Sequence, residues 1–281
     1  MLRERHPTRG LAEFVRRVVE ARSREEEERL AVQQTETVQR DAAARSLSEP
    51  RLVELAVKAV YCDLLGRAAP PLQPFLVRFA GSKNVYVKRV FYLACALLLE
   101  EGAELRLMLV STLQRDLASR VEAEVLAALS AFTLLAEPSF AGLLAEPLAA
   151  LPAHPSPLVR KKAFYALQRL DELLPDAVPL LTEKIALGLN EPDPSLKHCL
   201  LNLLLRKLAK NEQFFAEKID LLVDLQLRVI EHGLGYYEQQ RVPEPYLQIL
   251  LLRALGLLGR ASRQASERVF PVVEASLRKA E

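Results

Sequence analysis

Three times in the second half of this chain, a Pro-x-Pro triplet is followed by apolar residues at helical spacing. No other feature limits the fold so tightly. Pro155-Ser-Pro157 precedes Leu158–Leu174, Pro192-Asp-Pro194 precedes Ser195–Ala209, and Pro243-Glu-Pro245 precedes Tyr246–Leu258. Proline has no N–H and a φ that is already helical, so it suits a first turn, where N–H groups lack intrahelical partners. Behind the first triplet, apolar residues fall at 159, 163, 166, 167, 170, 173 and 174, a broad stripe that one helix face must bury. The pattern also has a period. Lys88-Arg89-Val-Phe91-Tyr92 is echoed 73 residues later by Lys161-Lys162-Ala-Phe164-Tyr165, and Lys197-His198 follows 36 after Lys161-Lys162. Seventy-three is about twice 36, so the unit is two helices plus turns, as in helical solenoids. The expected fold is all-α, a HEAT/armadillo-like alpha-alpha superhelix of paired antiparallel helices in a right-handed curved solenoid, without sheet.

Composition enters where that reading needs it. Half of the 281 residues are apolar and only 10 are glycine, enough material for a long core. The balance of 38 basic and 36 acidic residues gives +2, too near neutral to point to nucleic acid as the main partner. Cys62, Cys95 and Cys199 each sit in an apolar helical run, where a buried thiol acts as a small hydrophobe, and a reducing, cytosolic compartment is expected. The longest uninterrupted apolar run, Val90–Leu99, is ten residues, too short to cross a bilayer. The N-terminus has no apolar signal-peptide core.

In chain order, Met1–Thr8 reads as a flexible basic N-terminus and residues 9–281 as one solenoid trunk. Arg9–Arg22 is a short amphipathic helix with Leu11, Phe14, Val15, Val18 and Val19 on one face. Ser23 and Glu26 stand at capping-box spacing and open a polar helix that has little beyond Leu30, Val32 and Val38 to bury. Leu52–Leu65 is apolar and stops at Gly66; Pro70 and Pro71 start a short helix that runs to Ala80. Val85–Leu99 is apolar nearly all round, as an inner helix should be. Ala103–Leu117 and Val121–Leu135 form the next pair, and a helix from Pro138 is broken at Pro147. Val178–Leu189, Gln213–Glu231 and Ser262–Lys279 complete the helices. Between the last two, Gly233–Arg241 interrupts the period: the step from Pro192 to Pro243 is 51, against 37 from Pro155 to Pro192. Loops set on rigid scaffolds often carry contacts. The absence of a cap after Lys279 leads us to expect further chain.

No phosphate-cradling loop, His-Glu-x-x-His or Cys-x-x-Cys occurs, so neither a catalytic centre, a metal nor a cofactor is expected. His198 and Cys199 are adjacent on a helix and point to different faces, which cannot make a two-ligand site. Asp116, Glu122 and Glu124 are expected on solvated faces. The basic pairs Lys88-Arg89, Lys161-Lys162 and Lys197-His198 recur near the start of inner helices. Stacking aligns Lys88, Arg89, Lys161, Lys162 and Lys197 as a ladder, either a strip for an acidic partner or a solvated face.

Particular stretches resemble the large adaptin chains, the trunk subunits of vesicle-coat adaptor complexes. They are Val242-Pro-Glu-Pro-Tyr-Leu-Gln-Ile-Leu-Leu-Leu-Arg-Ala-Leu-Gly-Leu-Leu-Gly259, Tyr61-Cys-Asp-Leu-Leu-Gly66, Lys88-Arg89-Val-Phe-Tyr92-Leu93 and Leu113-Gln-Arg-Asp-Leu117. Arg9-Gly-Leu and Ser23-Arg-Glu-Glu-Glu-Glu28 match the family's opening helices, and the collinearity runs from about Arg9 to Glu281. The run from Val242 and the closing Ser-Leu-Arg-Lys-Ala-Glu are most similar to the epsilon branch, the large chain of the fourth adaptor complex.

The resemblance implies a cytosolic, non-catalytic trunk paired with a small sigma chain and assembled with a beta-type large chain and a medium mu chain. It also implies peripheral recruitment to trans-Golgi or endosomal membranes by a GTP-bound Arf-family GTPase. In that family an apolar patch on early helices receives the GTPase, and the matching positions here are Pro74, Val77 and Met108, with Phe75 at the border. The helix around Val53–Val60 offers only Lys58 where phosphoinositide-binding chains have a lysine run, and Val19 stands where dileucine-reading chains have arginine. Both departures argue against those two activities here. Composition alone fits an unrelated HEAT/armadillo-type scaffold or transport receptor equally well.

Overall fold

The computed structural model describes residues 9–44, 47–66, 73–100, 102, 104–175, 177–178, 180–232, 234–235, 237–239 and 241–280. The first eight residues, Pro70, Pro71 and Gly233, on which readings above fall, lie outside that set. The helices are α1 (Arg9–Val19), α2 (Arg24–Ala42), α3 (Glu49–Leu64), α4 (Gln73–Ala80), α5 (Val85–Leu98), α6 (Glu104–Leu107), α7 (Val110–Leu117) and α8 (Glu122–Leu135). They continue as α9 (Pro138–Ala141), α10 (Ala145–Ala150), α11 (Pro157–Leu173), α12 (Leu181–Leu189), α13 (Pro194–Lys210), α14 (Ile219–His232), α15 (Pro245–Ala261) and α16 (Arg263–Ala280). The fold is an all-α solenoid class, built from helix pairs.

The triplets work as the sequence leads one to expect. In each, the second proline is the first helical residue: Pro157 in α11, Pro194 in α13 and Pro245 in α15. At α13 the intervening Asp193 is the N-cap and accepts from the Ser195 N–H at 2.8 Å. Ser23 caps α2, accepting from the Glu26 N–H at 3.2 Å. The return bond of the box goes one residue further out, from the Arg22 N–H to Glu26 Oε2 at 2.9 Å. The polar α2 buries Ala31 and Val38, whereas Val32 faces solvent.

Contacts divide the chain into two compact units, residues 1–150 with 169–177, and residues 151–168 with 178–281. In the first, α3, α5 and α8 pack successively on one another while α2, α4 and α7 lie against them as the second layer. Leu55, Ala56, Phe91, Cys95, Phe132 and Leu135 are fully buried between those layers. In the second, α13 packs on α12 and α15, and α14, α15 and α16 pack on one another, around Phe164, Leu200, Leu204, Leu251 and Leu255.

Polar links written at the repeat spacing reinforce each stack. The Asn84 amide donates to Glu49 Oε2 at 2.7 Å, 35 residues back, and Lys88 donates to Glu124 at 2.9 Å, 36 ahead. The Gly102 N–H meets Glu137 at 3.0 Å, 35 ahead, and Arg106 meets the same carboxylate at 2.6 Å. In the second unit Arg160 pairs with Glu191 at 2.7 Å, and the Lys161 ammonium donates to Ser195. The period legible in the sequence is therefore also the reach of these side chains.

Several boundaries differ from expectation. The helix read as Ala103–Leu117 is two, because Met108 and Leu109 form a turn between α6 and α7. The break after Pro138 falls at a 3-10 turn, Gly142–Leu144, and Pro147 sits harmlessly in the first turn of α10, where no N–H is missed. The long helix Gln213–Glu231 shortens to α14, preceded by a 3-10 turn at Ala216–Lys218. A small departure from α-helix appears in the inserted loop, where β1 (Glu238–Gln239) pairs antiparallel with β2 (Val242–Pro243).

Candidate functional site

The basic ladder does not face solvent along its length. Lys88 is 1% exposed, held by Asp116 Oδ1 at 2.9 Å and Glu124 Oε1 at 2.9 Å. Tyr92 donates its hydroxyl to the other Asp116 oxygen at 2.8 Å, so both carboxylate oxygens of Asp116 are engaged. Asp116, expected in solvent, is 1% exposed, because α7 turns it inward onto α5 to meet that ammonium. Ser119 donates to Glu124 at 2.5 Å, and that bond together with Lys88 holds the Glu124 carboxyl below the usual carboxylate range. Burial, with Asp116 beside it, drives the Tyr92 phenol far up, so it stays a donor at any ordinary pH. A buried charge is tolerated only when paired and hydrogen-bonded, and here it is.

Lys197 is also sealed, at 3% exposure. It donates to the carbonyl oxygens of Leu189 at 2.7 Å and of Glu191. Those groups end α12, so an ammonium from α13 caps the preceding helix. Burial lowers the Lys197 pKa, with Arg228 adding to the effect. Lys161 and Lys162 are half-buried, and Lys161 lies 3.6 Å from Asp193. Only Arg89 of the five is openly exposed. The ladder is a correction: Lys88 and Lys161 are drawn onto polar groups of the following repeat, Lys197 onto carbonyl oxygens at the end of the preceding helix, and Lys162 is half-buried.

The expected apolar patch is split. Pro74 on α4 is exposed, and Met108, in the turn after α6, is 60% exposed. Helices α4 and α6 pack together. Val77 is only 9% exposed and belongs to the core with Leu76, since the short α4 turns that side onto α5. Phe75 is half-buried, with its ring edge-on to Phe79 at 5.0 Å and to Phe91 at 5.5 Å. Leu107, which the sequence did not single out, is exposed beside Met108.

A further apolar surface was missed. On α5, Tyr86, Leu93 and Leu97 are exposed on the same face as Arg89, at i, i+3, i+7 and i+11. Leu64 of α3 and Leu134 of α8 are exposed on the helices that flank it. A helix apolar nearly all round conceals which side stays open; the solitary Arg89 was the available signal. Chemically these surfaces offer apolar side chains and one guanidinium. The Cys95 and Cys199 thiols are pushed up to about 12 by burial, and no metal-holding cluster exists among the described residues.

Comparison with known proteins follows the same lines. The profile of the Adaptin N terminal region matches residues 34–281. The chain is 31% identical over 276 residues to the AP-4 complex subunit epsilon-1 of Homo sapiens, covering 96% of this chain and 24% of that protein. It is 28% identical over 268 residues to the AP-4 complex subunit epsilon of Arabidopsis thaliana, covering 95% and 29%. Against the AP-1 complex subunit gamma-1 of Schizosaccharomyces pombe it is 26% identical over 260 residues, covering 91% and 30%. The chain thus spans about a quarter to a third of the length of these curated relatives. In structure it is similar to a chain of a homology model of the full-length AP-3 complex in an intermediate open conformation. The TM-score is 0.61 at 20% identity, over 81% of this chain and 38% of that one, a likeness of fold alone.

Proposed function

This chain belongs to the adaptin large-chain family, with relatives in its epsilon branch, and on that premise we propose that it is the trunk of a vesicle-coat adaptor subunit. It acts as a non-catalytic scaffold, holding a small sigma chain and assembling with a beta-type large chain and a medium mu chain. The complex is peripheral on trans-Golgi or endosomal membranes, recruited from the cytoplasm by a GTP-bound Arf-family GTPase for cargo sorting. The observation that carries the reading is the continuous family match over residues 34–281. The exposed Leu93 and Leu97 support it, as side chains that a helical scaffold leaves open for a partner.

Co-expression with a matching sigma chain tests the assembly. A partner that binds only the folded form stabilises it by mass action, so solubility and melting temperature should both rise. A soluble monomer that no sigma chain shifts would remove the proposal's support. For the GTPase, the surface we assign is Pro74, Leu107 and Met108, with Phe75 at its edge; Val77 acts from beneath as packing. Met108→Glu should leave the helical signal unchanged and abolish capture by a GTP-locked Arf-family GTPase. Undiminished capture would move that contact elsewhere on the trunk.

A further inference from the structure

The inserted loop before α15 builds a surface that the scaffold role does not use. Glu244, the N-cap of α15, is 4% exposed and left-handed at φ 46. It ties the loop shut from both sides. Its carboxylate accepts from the Tyr237 N–H at 2.9 Å, and its own N–H donates to the Tyr237 carbonyl at 2.8 Å. The closure lays the Tyr237 ring parallel to that of Tyr246, centroids 6.2 Å apart and planes within 12°. Both rings stay open, Tyr237 at 45% and Tyr246 at 59% exposure, with Ile249 one turn further along the same face.

Beyond this apolar end, the face turns cationic. Arg253 and Arg260 follow Tyr246 at steps of seven residues and are exposed. Among the described residues neither has an ion-pair partner, and α15 carries no acidic residue at all. Seven residues of helix advance about 10 Å. An extended chain covers about the same distance in three residues. One bulky apolar side chain on the tyrosine pair would therefore place carboxylates three and six residues away over the two guanidinium groups. Arg forks bind carboxylates with charge-assisted bonds, and aromatic and Arg side chains are the usual energetic anchors of interfaces.

We propose that the face made by Tyr237, Tyr246, Ile249, Arg253 and Arg260 docks an acidic linear peptide of a partner protein, anchored by one large apolar residue. The cations stand in single file along one helix, which suits a chain rather than a plane of lipid headgroups.

The test uses the full chain and fluorescein-labelled nine-residue peptides, each with one Leu or Phe and glutamates three and six residues to one side of it, N-terminal in one set and C-terminal in the other. Fluorescence anisotropy should show saturable binding that weakens with added salt. Replacing the apolar residue by Ser, or the glutamates by Lys, should abolish it. Arg253→Glu with Arg260→Glu should weaken binding about tenfold or more, and Tyr246→Ser similarly. Far-UV circular dichroism checks folding, and Arg253→Gln with Arg260→Gln replaces the charge reversal if that variant unfolds. Equal binding by the folded arginine variants overturns the proposal, as does no binding by any peptide. So does binding to phosphatidylserine vesicles that the peptides do not compete for, since that would make the face a membrane contact.

Discussion

Replacing Lys88 by Met separates a structural ammonium from a binding one. The side chain keeps its apolar stem but loses the charge that Asp116 and Glu124 face. Asp116, 1% exposed, would keep the Tyr92 hydroxyl at 2.8 Å and Arg115 at 3.4 Å but no buried cation. Breaking a buried pair from one side costs about 3–5 kcal/mol, because the remaining charge stays desolvated. Against a typical total of about 5–15 kcal/mol, that is a large share. A chain of this size loses about 2–4 °C per kcal/mol, so a fall of roughly 6–20 °C is expected. Urea unfolding followed by far-UV circular dichroism should give a lower midpoint with an unchanged slope. Arg89→Met, one residue on and exposed, should stay within about 0.5 kcal/mol of the parent. Removing the buried members together, with Lys88→Met, Asp116→Leu and Tyr92→Phe, should recover much of the loss, since the remaining Glu124 is partly exposed and keeps Ser119. A loss below about 1 kcal/mol for Lys88→Met, or an equal loss for Arg89→Met, would refute the reasoning and restore Lys88 to the surface.

Val77→Asp should unfold the first unit or lower its melting point steeply, because a carboxylate would enter the core beside Leu76, whereas Met108→Glu should leave it unchanged; equal melting points would put Val77 in solvent. Gly188→Ala should cost about 1–3 kcal/mol, read from the urea midpoint, since its Cβ would stand 2.6 Å from Leu200 and 2.9 Å from Phe164. Acid should weaken the fold through Glu54 and Glu124. Burial opposes ionisation of Glu54, but hydrogen bonds from Lys58 and Arg51 outweigh it, and Ser119 and Lys88 act likewise on Glu124. Both carboxyls lie below the ordinary value of 4.5, so the unfolded chain binds these protons more tightly. Their contribution is complete above 4.5 and is lost as pH falls through the depressed folded values. Melting temperatures should therefore be flat from about pH 7 to 5 and fall below it; a flat profile to pH 3 would show these pairs to be immaterial.

The prolines made the second half of the fold legible, because a residue without an N–H has few places to stand and three triplets marked three helix starts. The period was legible from Lys88-Arg89 and Lys161-Lys162. Its cause was not, since whether a lysine reaches inward depends on which carboxylate the next repeat brings to it. Asp116 shows the limit: its own helix made it look solvated, and only contact with α5 turned it into a partner of Lys88. Val77 and Met108 divided for a similar reason. A helix of eight residues fixes no face by periodicity, so the choice fell to packing on α5. The stack of Tyr237 on Tyr246 rests on Glu244 in a left-handed conformation, which single residues rarely announce.

The capping of α12 by Lys197 has a consequence for chemistry performed on the protein from outside. Its ammonium is already committed to two carbonyl oxygens, and Lys88 is committed to two carboxylates. Reagents that acylate free amines, and enzymes that acetylate lysine, must reach the nitrogen, and Lys88 and Lys197 are 1% and 3% exposed. Both positions should therefore stay unmodified in the native chain while exposed Lys83 and Lys210 react. Acylation at Lys88 or Lys197 is then a clock for the opening of one repeat from the next.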